Sequence, residues 1–454
     1  MEHRTRLIIT AIINLNFLLT IGLVGGIIGP TLLDMKDIYG TTVDKVSFMF
    51  MMGSTGSITG SFITGFVMDK FPRYRCLLLF AYTLNTSLVT ALMPFMSHLS
   101  IFFFLSFLGG FSGGSLDMGG NVFCLHVWRG LESGPYMHSI HFSFAIGAFL
   151  GPLLAVPFLG TNGDQLQEAL MSFNETTMNQ TDMIETDTQI TIFYPLVGAL
   201  ALLPGLGYLY YGIQDLREQP NENQAAISSA NHGNESQKAH AWKVVTLLGL
   251  VAIFFFLYVG VEVTFGTFLT TFAVESDLQL TKPQGADLTA IFWGFFALMR
   301  FLSIFAAIKL NPAVILVFSF GTCLLSSAML SLYGDQNLRL LQLACGGMGV
   351  GTASIFATGI LWLEQHVVVT NRIGALVSIA ASLGPDIFPV IVGQYIVAQP
   401  MVLMHVTALT LIGCVLIFIA CHFLARSYQK FQSSLTMPVS TEDDDGFETI
   451  PLNK

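Results

Sequence analysis

Long apolar segments alternate with short polar loops along most of the chain. Each segment is long enough for an α-helix to cross the hydrocarbon core of a bilayer, which takes about 20 residues. The twelve segments lie approximately at 7–33, 46–68, 76–97, 100–127, 137–160, 190–213, 243–274, 289–310, 313–333, 338–363, 372–398 and 400–425. The pattern predicts an all-α membrane protein with twelve transmembrane helices. The first segment is also too long to be the apolar region of a cleavable signal peptide.

A polar stretch divides the segments into two sets of six that resemble each other weakly. GGFSGGSLDMGGN in the fourth segment aligns with GGMGVGTASIFAT in the tenth, so that Asp117 falls on Ser354 and Asn121 on Thr358. Two related halves with a site at their interface are typical of transporters. We expect two pseudo-symmetric six-helix bundles, a cytoplasmic linker and a disordered acidic tail. The two bundles, the linker and the tail span residues 1–213, 243–426, 214–242 and 427–454, respectively.

Composition agrees with a membrane protein. The chain is 53% hydrophobic and 11% charged, with a mean hydropathy of +0.67, whereas a soluble domain carries about 25% charged residues. Much of the net charge of −10 comes from an acidic cluster near the C-terminus, and nothing indicates nucleic-acid binding. The six cysteines show no metal-ligand spacing, so no cofactor is expected. The partners we expect are the lipid bilayer and a small solute, with a monomer as the functional unit.

The distribution of basic residues predicts the orientation of the chain in the membrane. Fourteen lysines and arginines fall on one side of the predicted helices and four on the other, and the more basic side is normally cytoplasmic. Both termini are therefore expected in the cytoplasm of a multi-pass protein, with the plasma membrane as the expected location. The loop at 161–189 then lies outside, where its sequons at Asn174 and Asn179 would be glycosylated.

Asp117 is the most informative single residue, because it lies near the middle of an apolar helix. Gly109, Gly113, Asp117 and Asn121 recur every four residues and share one helix face. We expect this face to pack closely against neighbouring helices, since glycines permit close approach. A carboxylate at the centre of a bilayer is costly, which indicates a functional site. The alternative is a buried acid that only sets helix packing.

Glu262 in the seventh segment is the second deeply placed acid. Tyr258 and Phe265 lie close to it in the sequence, and an acid beside aromatic rings is suited to a sugar, whose hydroxyls donate to the carboxylate. Thr358, the counterpart of Asn121, adds a polar group from the second half. We take Asn121, Tyr258, Glu262, Phe265 and Thr358 as candidate substrate-binding residues.

Two further charges lie within predicted spans. Arg300 is the only basic residue inside the membrane, and we expect it to neutralise an acid or to bond helix carbonyls rather than to bind substrate. Asp386 follows Gly384 and Pro385 in the eleventh segment. A coupling site, a counter-charge for Arg300 and a neutral, lipid-shielded acid all remain open for Asp386.

The loop GFVMDKFPRYR between the second and third segments is the most specific short motif. Its Gly65, Asp69, Lys70, Arg73 and Arg75 match the signature loop of the major facilitator superfamily. In that family the acid contacts a neighbouring helix end and the basic residues bond helix termini. The charges are suited to a latch between helices that part and re-form. The alternative is simple anchoring at a cytoplasmic surface.

More narrowly, the chain resembles the sodium-dependent glucose transporter branch related to fucose permeases. The stretches that carry this resemblance include LDMGGNVFCLHVW, HSIHFSFAIGAFLGPLL, FLYVGVEV and IFWGFFALMR. It implies a rocking twelve-helix fold and sodium-linked uptake of a hexose, with Asp117 in a coupling role. The permeases also use an acid in the first helix, where this chain has Asn14 and Asn16.

A sodium ion prefers oxygen ligands and needs a negative one inside a bilayer. Asp117 and Asn121 supply such oxygens on one face, and Ser115 or backbone carbonyls near Gly113 and Gly114 could complete the shell. Asp117 is thus the tentative sodium ligand, with Asn121 and Asp386 as further coupling candidates. Two alternatives remain: a facilitative or proton-coupled carrier of another polar solute, and a non-transporting sensor or scaffold. The chain is not expected to be an enzyme.

Overall fold

The computed structural model describes residues 3–128, 134–160, 188–217, 241–367 and 371–436. The sequons at Asn174 and Asn179, most of the predicted linker and the end of the predicted tail lie outside the described residues. Twelve long helices account for nearly all of the described chain. They are α1 His3–Ile38, α2 Phe48–Lys70, α3 Arg75–Leu92, α4 Leu99–Val127, α5 Gly134–Ala155, α6 Ile190–Arg217, α7 Ala241–Glu275, α8 Lys282–Lys309, α9 Pro312–Tyr333, α10 Leu338–Glu364, α11 Asn371–Tyr395 and α12 Val402–Thr436.

These helices correspond one by one to the twelve predicted segments. By length and composition, ten of the twelve described helices are long and apolar enough to cross a membrane. The other two, α2 and α11, have 23 and 25 residues. No strand occurs in the ranges that the structure describes. The all-α membrane fold is confirmed. Helix α12 continues to Thr436, beyond residue 426, where the sequence suggested that the tail begins.

Two helices are irregular in the membrane. Residues Phe17–Leu23 of α1 form a π-helical turn. Gly147 of α5 packs there so closely that a Cβ atom on it would collide with the carbonyl oxygen of Leu18. Helix α10 is interrupted between Thr352 and Ile355, which leaves carbonyl groups near the break without their usual partners within the helix.

The two halves meet along α1, α2 and α5 of the first and α7, α8 and α11 of the second. Gly29 of α1 lies against the backbone of Thr267 in α7, and Gly393 of α11 lies against Ser47, which precedes α2. We call the side of the bundle where α1 begins and α12 ends the termini face. These contacts lie toward the opposite face, because Gly29 and Thr267 are near the far ends of their helices.

Candidate functional site

Asp117 lies in the middle of α4, and its side chain is exposed. The Asn121 amide Nδ2 donates to the Asp117 carbonyl oxygen at 2.8 Å and to its carboxylate Oδ1 at 3.3 Å. The Oδ1 atom of Asn121 has no hydrogen-bond partner among the described residues. No lysine, arginine or histidine of the described chain forms an ion pair with Asp117. The pair therefore presents a carboxylate without a cationic partner among the described residues, together with a free amide oxygen.

The glycines of α4 divide between two faces, which corrects the expected packing. Gly110 and Gly114 are the ones that lie against α2, where Cβ atoms would meet Gly53 and Ser57. Gly113, which shares a face with Asp117, has nothing within 4 Å of where its Cβ would be. The face of Asp117 is thus open at Gly113, whereas Gly109, one turn earlier, lies near the Val89 side chain of α3. The contact with α2 is formed by Gly110 and Gly114, which lie one residue after Gly109 and Gly113 and have the same spacing of four.

The open face looks toward the space between the two halves. Gly114 contacts α2 on one side of Asp117, and Gly120 contacts Phe17 and Ile13 of α1 on the other. Helices α1 and α2 in turn contact α7 and α11 of the second half. The face of Asp117 lies between the α1 and α2 contacts of α4 and is therefore directed toward the second half. This is where a solute and an ion can meet groups from both halves.

The oxygens near Asp117 fit a sodium ion only in part. Asp117 and Asn121 supply carboxylate and amide oxygens on one face. Ser115 does not join them, because its hydroxyl donates to the Phe111 carbonyl at 2.7 Å on the side of α4 that faces Gly60 of α2. No group of three or more His, Cys, Asp or Glu side chains in the described part of the chain could hold a metal ion. Any further ligands would come from carbonyls, water or the solute.

Glu262 in α7 has a different setting from Asp117. Only 8% of its surface is exposed, and its carboxylate accepts a hydrogen bond from the hydroxyl of fully buried Tyr258. The same hydroxyl lies 2.7 Å from the carbonyl oxygen of Thr352, at the break in α10. Its single proton can serve only one of the two acceptors at a time. Glu262 and Tyr258 thus bind each other and the broken helix.

Arg300 completes this cluster from α8. Its Nε atom donates to the Ala353 carbonyl at 3.3 Å, also at the break in α10, and its guanidinium lies 4.4 Å from the ring centre of Phe296. It is also close enough to Glu262 for an electrostatic interaction. The bond to the Ala353 carbonyl matches the expected role of bonding helix carbonyls, whereas no ion pair joins Arg300 to an acid of the described residues. Arg300 and Tyr258 together bond the carbonyls that the break exposes.

The other substrate candidates of the second half do not form an open wall. Phe265 is fully buried and packs against Phe292 of α8, with ring centres 5.2 Å apart. Thr358 is 4% exposed and lies in α10 on the C-terminal side of the break. Neither aromatic candidate presents a ring to open space, because the α7 face that carries them packs against α8 and α10. In this conformation both rings are buried and leave no open face on which a sugar could stack, contrary to the expectation from the sequence. The side chain of Asp386 lies outside the described residues.

The signature loop ties α2 to the end of α6 within the first half. Arg73 donates from Nε to the Asp215 carbonyl at 3.1 Å and from Nη2 to the Leu216 carbonyl at 2.6 Å. Cations at a helix C-terminus complement the helix dipole and its unsatisfied carbonyls. Arg75 donates to the Met68 carbonyl at 3.3 Å. These bonds to helix ends are the kind that the family resemblance implied.

The remaining loop residues are placed less centrally. Gly65 lies against the Met118 side chain of α4, and the Lys70 ammonium lies 5.5 Å from the ring centre of Phe71. The side chain of Asp69 lies outside the described residues.

An ion-pair cluster on the opposite face was missed by the sequence argument. Lys282, 4% exposed at the start of α8, lies 2.9 Å from Asp37 Oδ2 and 3.4 Å from Oδ1 of fully buried Asp34. Asp34 Oδ1 also accepts from the Gly160 amide at 2.8 Å. The cluster joins α1 of one half to α8 of the other. Two acids three residues apart at the end of a span, in TLLDMKD, were the available signal.

The bundle, its two halves and the membrane-depth carboxylates define a polytopic solute transporter rather than an enzyme. A sequence profile of the Major Facilitator Superfamily matches residues 17–389. The chain belongs to this superfamily. It is a multi-pass membrane transporter.

Curated relatives narrow the comparison. The human protein named sodium-dependent glucose transporter 1 is 32% identical over 83% of this chain and 71% of its own length. The mouse sodium-dependent glucose transporter 1A is 30% identical over 83% of this chain and 87% of its own. Among solved structures, a mutant of the nucleoside transporter NupG has a TM-score of 0.63 at 14% identity, covering 92% of this chain and 99% of that one.

Proposed function

We propose that the chain is a secondary active transporter that couples the entry of sodium to the uptake of glucose or a related hexose by alternating access. The observation that carries the proposal is the exposed Asp117 carboxylate, which lies at mid-helix beside Asn121 and has no counter-charge among the described residues. An uncompensated carboxylate at this depth is costly unless a cation binds to it. The names of the human and mouse relatives supply the ion and the solute.

Alternating access requires that contacts between the halves can open on one face while they close on the other. The Lys282 cluster and the Gly29 contact with Thr267 hold the halves together on the face opposite the termini. Asp117 meanwhile stays reachable from the space between the halves. This arrangement supports a binding site open toward the termini face, which we assign to the cytoplasm from the charge distribution. A monomer at the plasma membrane, glycosylated at Asn174 and Asn179, completes the proposal.

The ligand roles divide between the halves. We assign sodium coupling to Asp117 and Asn121, with the solute between Asn121 and the second half. Tyr258 and Glu262 would contact a hydroxylated solute only when the break in α10 moves, because here they bind each other and the Thr352 carbonyl.

Uptake of radiolabelled glucose into proteoliposomes tests the proposal directly. With an inward sodium gradient, uptake should exceed that with an equal potassium gradient, and it should overshoot its equilibrium value. Equal, non-concentrative uptake in both salts would indicate a facilitative carrier. Concentrative uptake driven only by a proton gradient would instead assign the carboxylate to protons. No uptake of any hexose would reject the substrate class.

A further inference from the structure

A groove runs between α9 and α12 on the outer side of the second half. It encloses about 550 Å³, and its long walls are apolar. Phe320 of α9 and Phe418 of α12 form its floor, with ring centres 5.5 Å apart. Val317 of α9 and Phe423 of α12 line it and are each 66% exposed, so the groove opens away from the bundle. A surface of this kind in a membrane protein is in contact with lipid chains.

One end of the groove is basic. His422 and Arg426 line it at the end nearest the termini face, together with Ala313 at the start of α9. His366 of α10 is close enough to His422 for an electrostatic interaction, as is Arg426. The Nδ1 atom of His422 is buried and has no hydrogen-bond partner among the described residues. Among the described residues no aspartate or glutamate lines the groove, so an anion at this end would meet the Arg426 guanidinium and the His422 imidazole without a facing carboxylate.

The groove has the length of one leaflet. Ala313 and Leu324 line opposite ends of its α9 wall, and at about 1.5 Å per residue they lie roughly 16 Å apart along the helix. Half of the hydrocarbon core of a bilayer is about 15 Å thick. The basic end therefore falls at the level of the headgroups when the apolar part lies beside the acyl chains.

We propose that this groove binds one anionic phospholipid, with an acyl chain on Phe320 and Phe418 and its phosphate on Arg426 and His422. The charge at one end and the apolar walls select this ligand, since a zwitterionic lipid gains less from the basic pair. Basic pockets between helices at a membrane surface are known to bind acidic headgroups. On the predicted orientation the basic end lies in the cytoplasmic leaflet, where anionic lipids concentrate.

Native mass spectrometry of the purified full chain can test the proposal. The protein in detergent would be titrated with dioleoyl phosphatidylglycerol or with dioleoyl phosphatidylcholine, and the apparent dissociation constant of the first bound lipid would be compared. Photoactivatable phosphatidylglycerol, followed by peptide mapping, would show where that lipid lies. We expect a preference for phosphatidylglycerol and crosslinks to α9 and α12.

Two variants separate charge from shape. Arg426→Gln should weaken the binding of phosphatidylglycerol by about fivefold, the equivalent of ~1 kcal/mol for one basic residue at a membrane surface, and leave phosphatidylcholine unchanged. Gly321→Phe should remove the binding of both lipids, because Gly321 lines the groove and its Cβ position is open. Arg339→Gln, an exposed charge at the other face, and Gly249→Phe, an equally open glycine on α7, are the matched controls.

Equal affinity for the two lipids in the wild type would overturn the proposal. Wild-type binding of phosphatidylglycerol by both Arg426→Gln and Gly321→Phe would do the same, as would crosslinks confined to other helices. Thermal unfolding without added lipid should be the same for each variant and its control, and circular dichroism checks that every variant is folded.

Discussion

Asp117 and Glu262 are membrane-depth carboxylates in related halves, yet their surroundings differ. Asp117 is exposed, and among the described residues its carboxylate is hydrogen-bonded to Asn121 alone, which belongs to its own helix. Glu262 is buried and contacts Tyr258, and through that residue and Arg300 it connects three helices of the second half. A charge that the fold already compensates contributes to structure, whereas an uncompensated charge is available to a ligand. On the proposed function, the difference favours ion coupling in the first half and support of the broken helix in the second.

The largest expected effect is that of Asp117→Asn. The variant keeps the shape of the side chain but removes the charge that offsets dehydration of the cation. It should reach the membrane and lose the stimulation of uptake by sodium, while exchange of substrate survives. Uptake into proteoliposomes measures both, and Asp44→Asn, in the short helix Val43–Val46, is the control. Full stimulation in Asp117→Asn would shift coupling to Asp386 or Glu262.

Wild-type uptake should also depend on both protons and sodium. Protons and sodium ions compete for one carboxylate, so acidic pH should inhibit uptake at low sodium, and high sodium should relieve the inhibition. Initial rates measured over a grid of pH and sodium concentration would show this. Inhibition by acid that is independent of sodium would place the titrating group elsewhere.

Glu262→Gln should mainly affect stability. It removes the charge near Arg300 and weakens the bond from Tyr258, which should lower the free energy of unfolding by about 1–3 kcal/mol. Asp117→Asn is the matched control, because the same chemical change at an exposed, unpaired acid should leave unfolding nearly unchanged. Thermal unfolding in detergent, followed by tryptophan fluorescence, compares them. Equal stability of the two variants would remove the distinction drawn between the halves.

Lys282→Gln tests the boundary between the halves. The change leaves buried Asp34 without its counter-charge, which costs about 3 kcal/mol in comparable cases. The face opposite the termini should then open more often. In the Lys282→Gln variant, a cysteine introduced at fully buried Thr271 should react with a membrane-impermeant maleimide more than tenfold faster than the same cysteine does in a protein that keeps Lys282. An unchanged rate would show that the cluster does not hold this face closed.

The signature loop should affect rate rather than affinity. Its arginines bond helix ends within the first half rather than the Asp117 carboxylate, so Asp69→Asn should slow transport and leave equilibrium binding of the sugar nearly intact. Lys70→Gln serves as the milder comparison, because the Lys70 ammonium lies 5.5 Å from the ring centre of the neighbouring Phe71 and forms no ion pair among the described residues. Weak sugar binding with normal turnover would contradict this role.

The smallest effect concerns the orientation of the chain in the membrane. Glycosidase should increase the gel mobility of the wild type made in animal cells but not that of the Asn174→Gln/Asn179→Gln variant, with transport unchanged. An identical band before and after glycosidase treatment of the wild type would argue against an outside position for the 161–189 loop.

Much of the architecture follows from the sequence by itself. The number, order and approximate ends of the helices depend on local length and hydropathy, because a bilayer demands about 20 apolar residues per span. The depth of Asp117 and the ends of the signature loop follow from the same counting. The helix break at 353–354 carries no such signal, since Ala353 and Ser354 are ordinary in a helix.

Only the tertiary structure decided which groups meet. Helical spacing placed Gly109 and Gly110 on adjacent faces, but the crossing of α4 with α2 selected the second. The contacts of Tyr258 with Thr352 and of Lys282 with Asp34 join residues far apart in the chain. Such pairs depend on the crossing geometry and relative depth of two helices, which no local pattern encodes. The exposure of Asp117 and the burial of Glu262 were decided in the same way, by which neighbours came to cover each face.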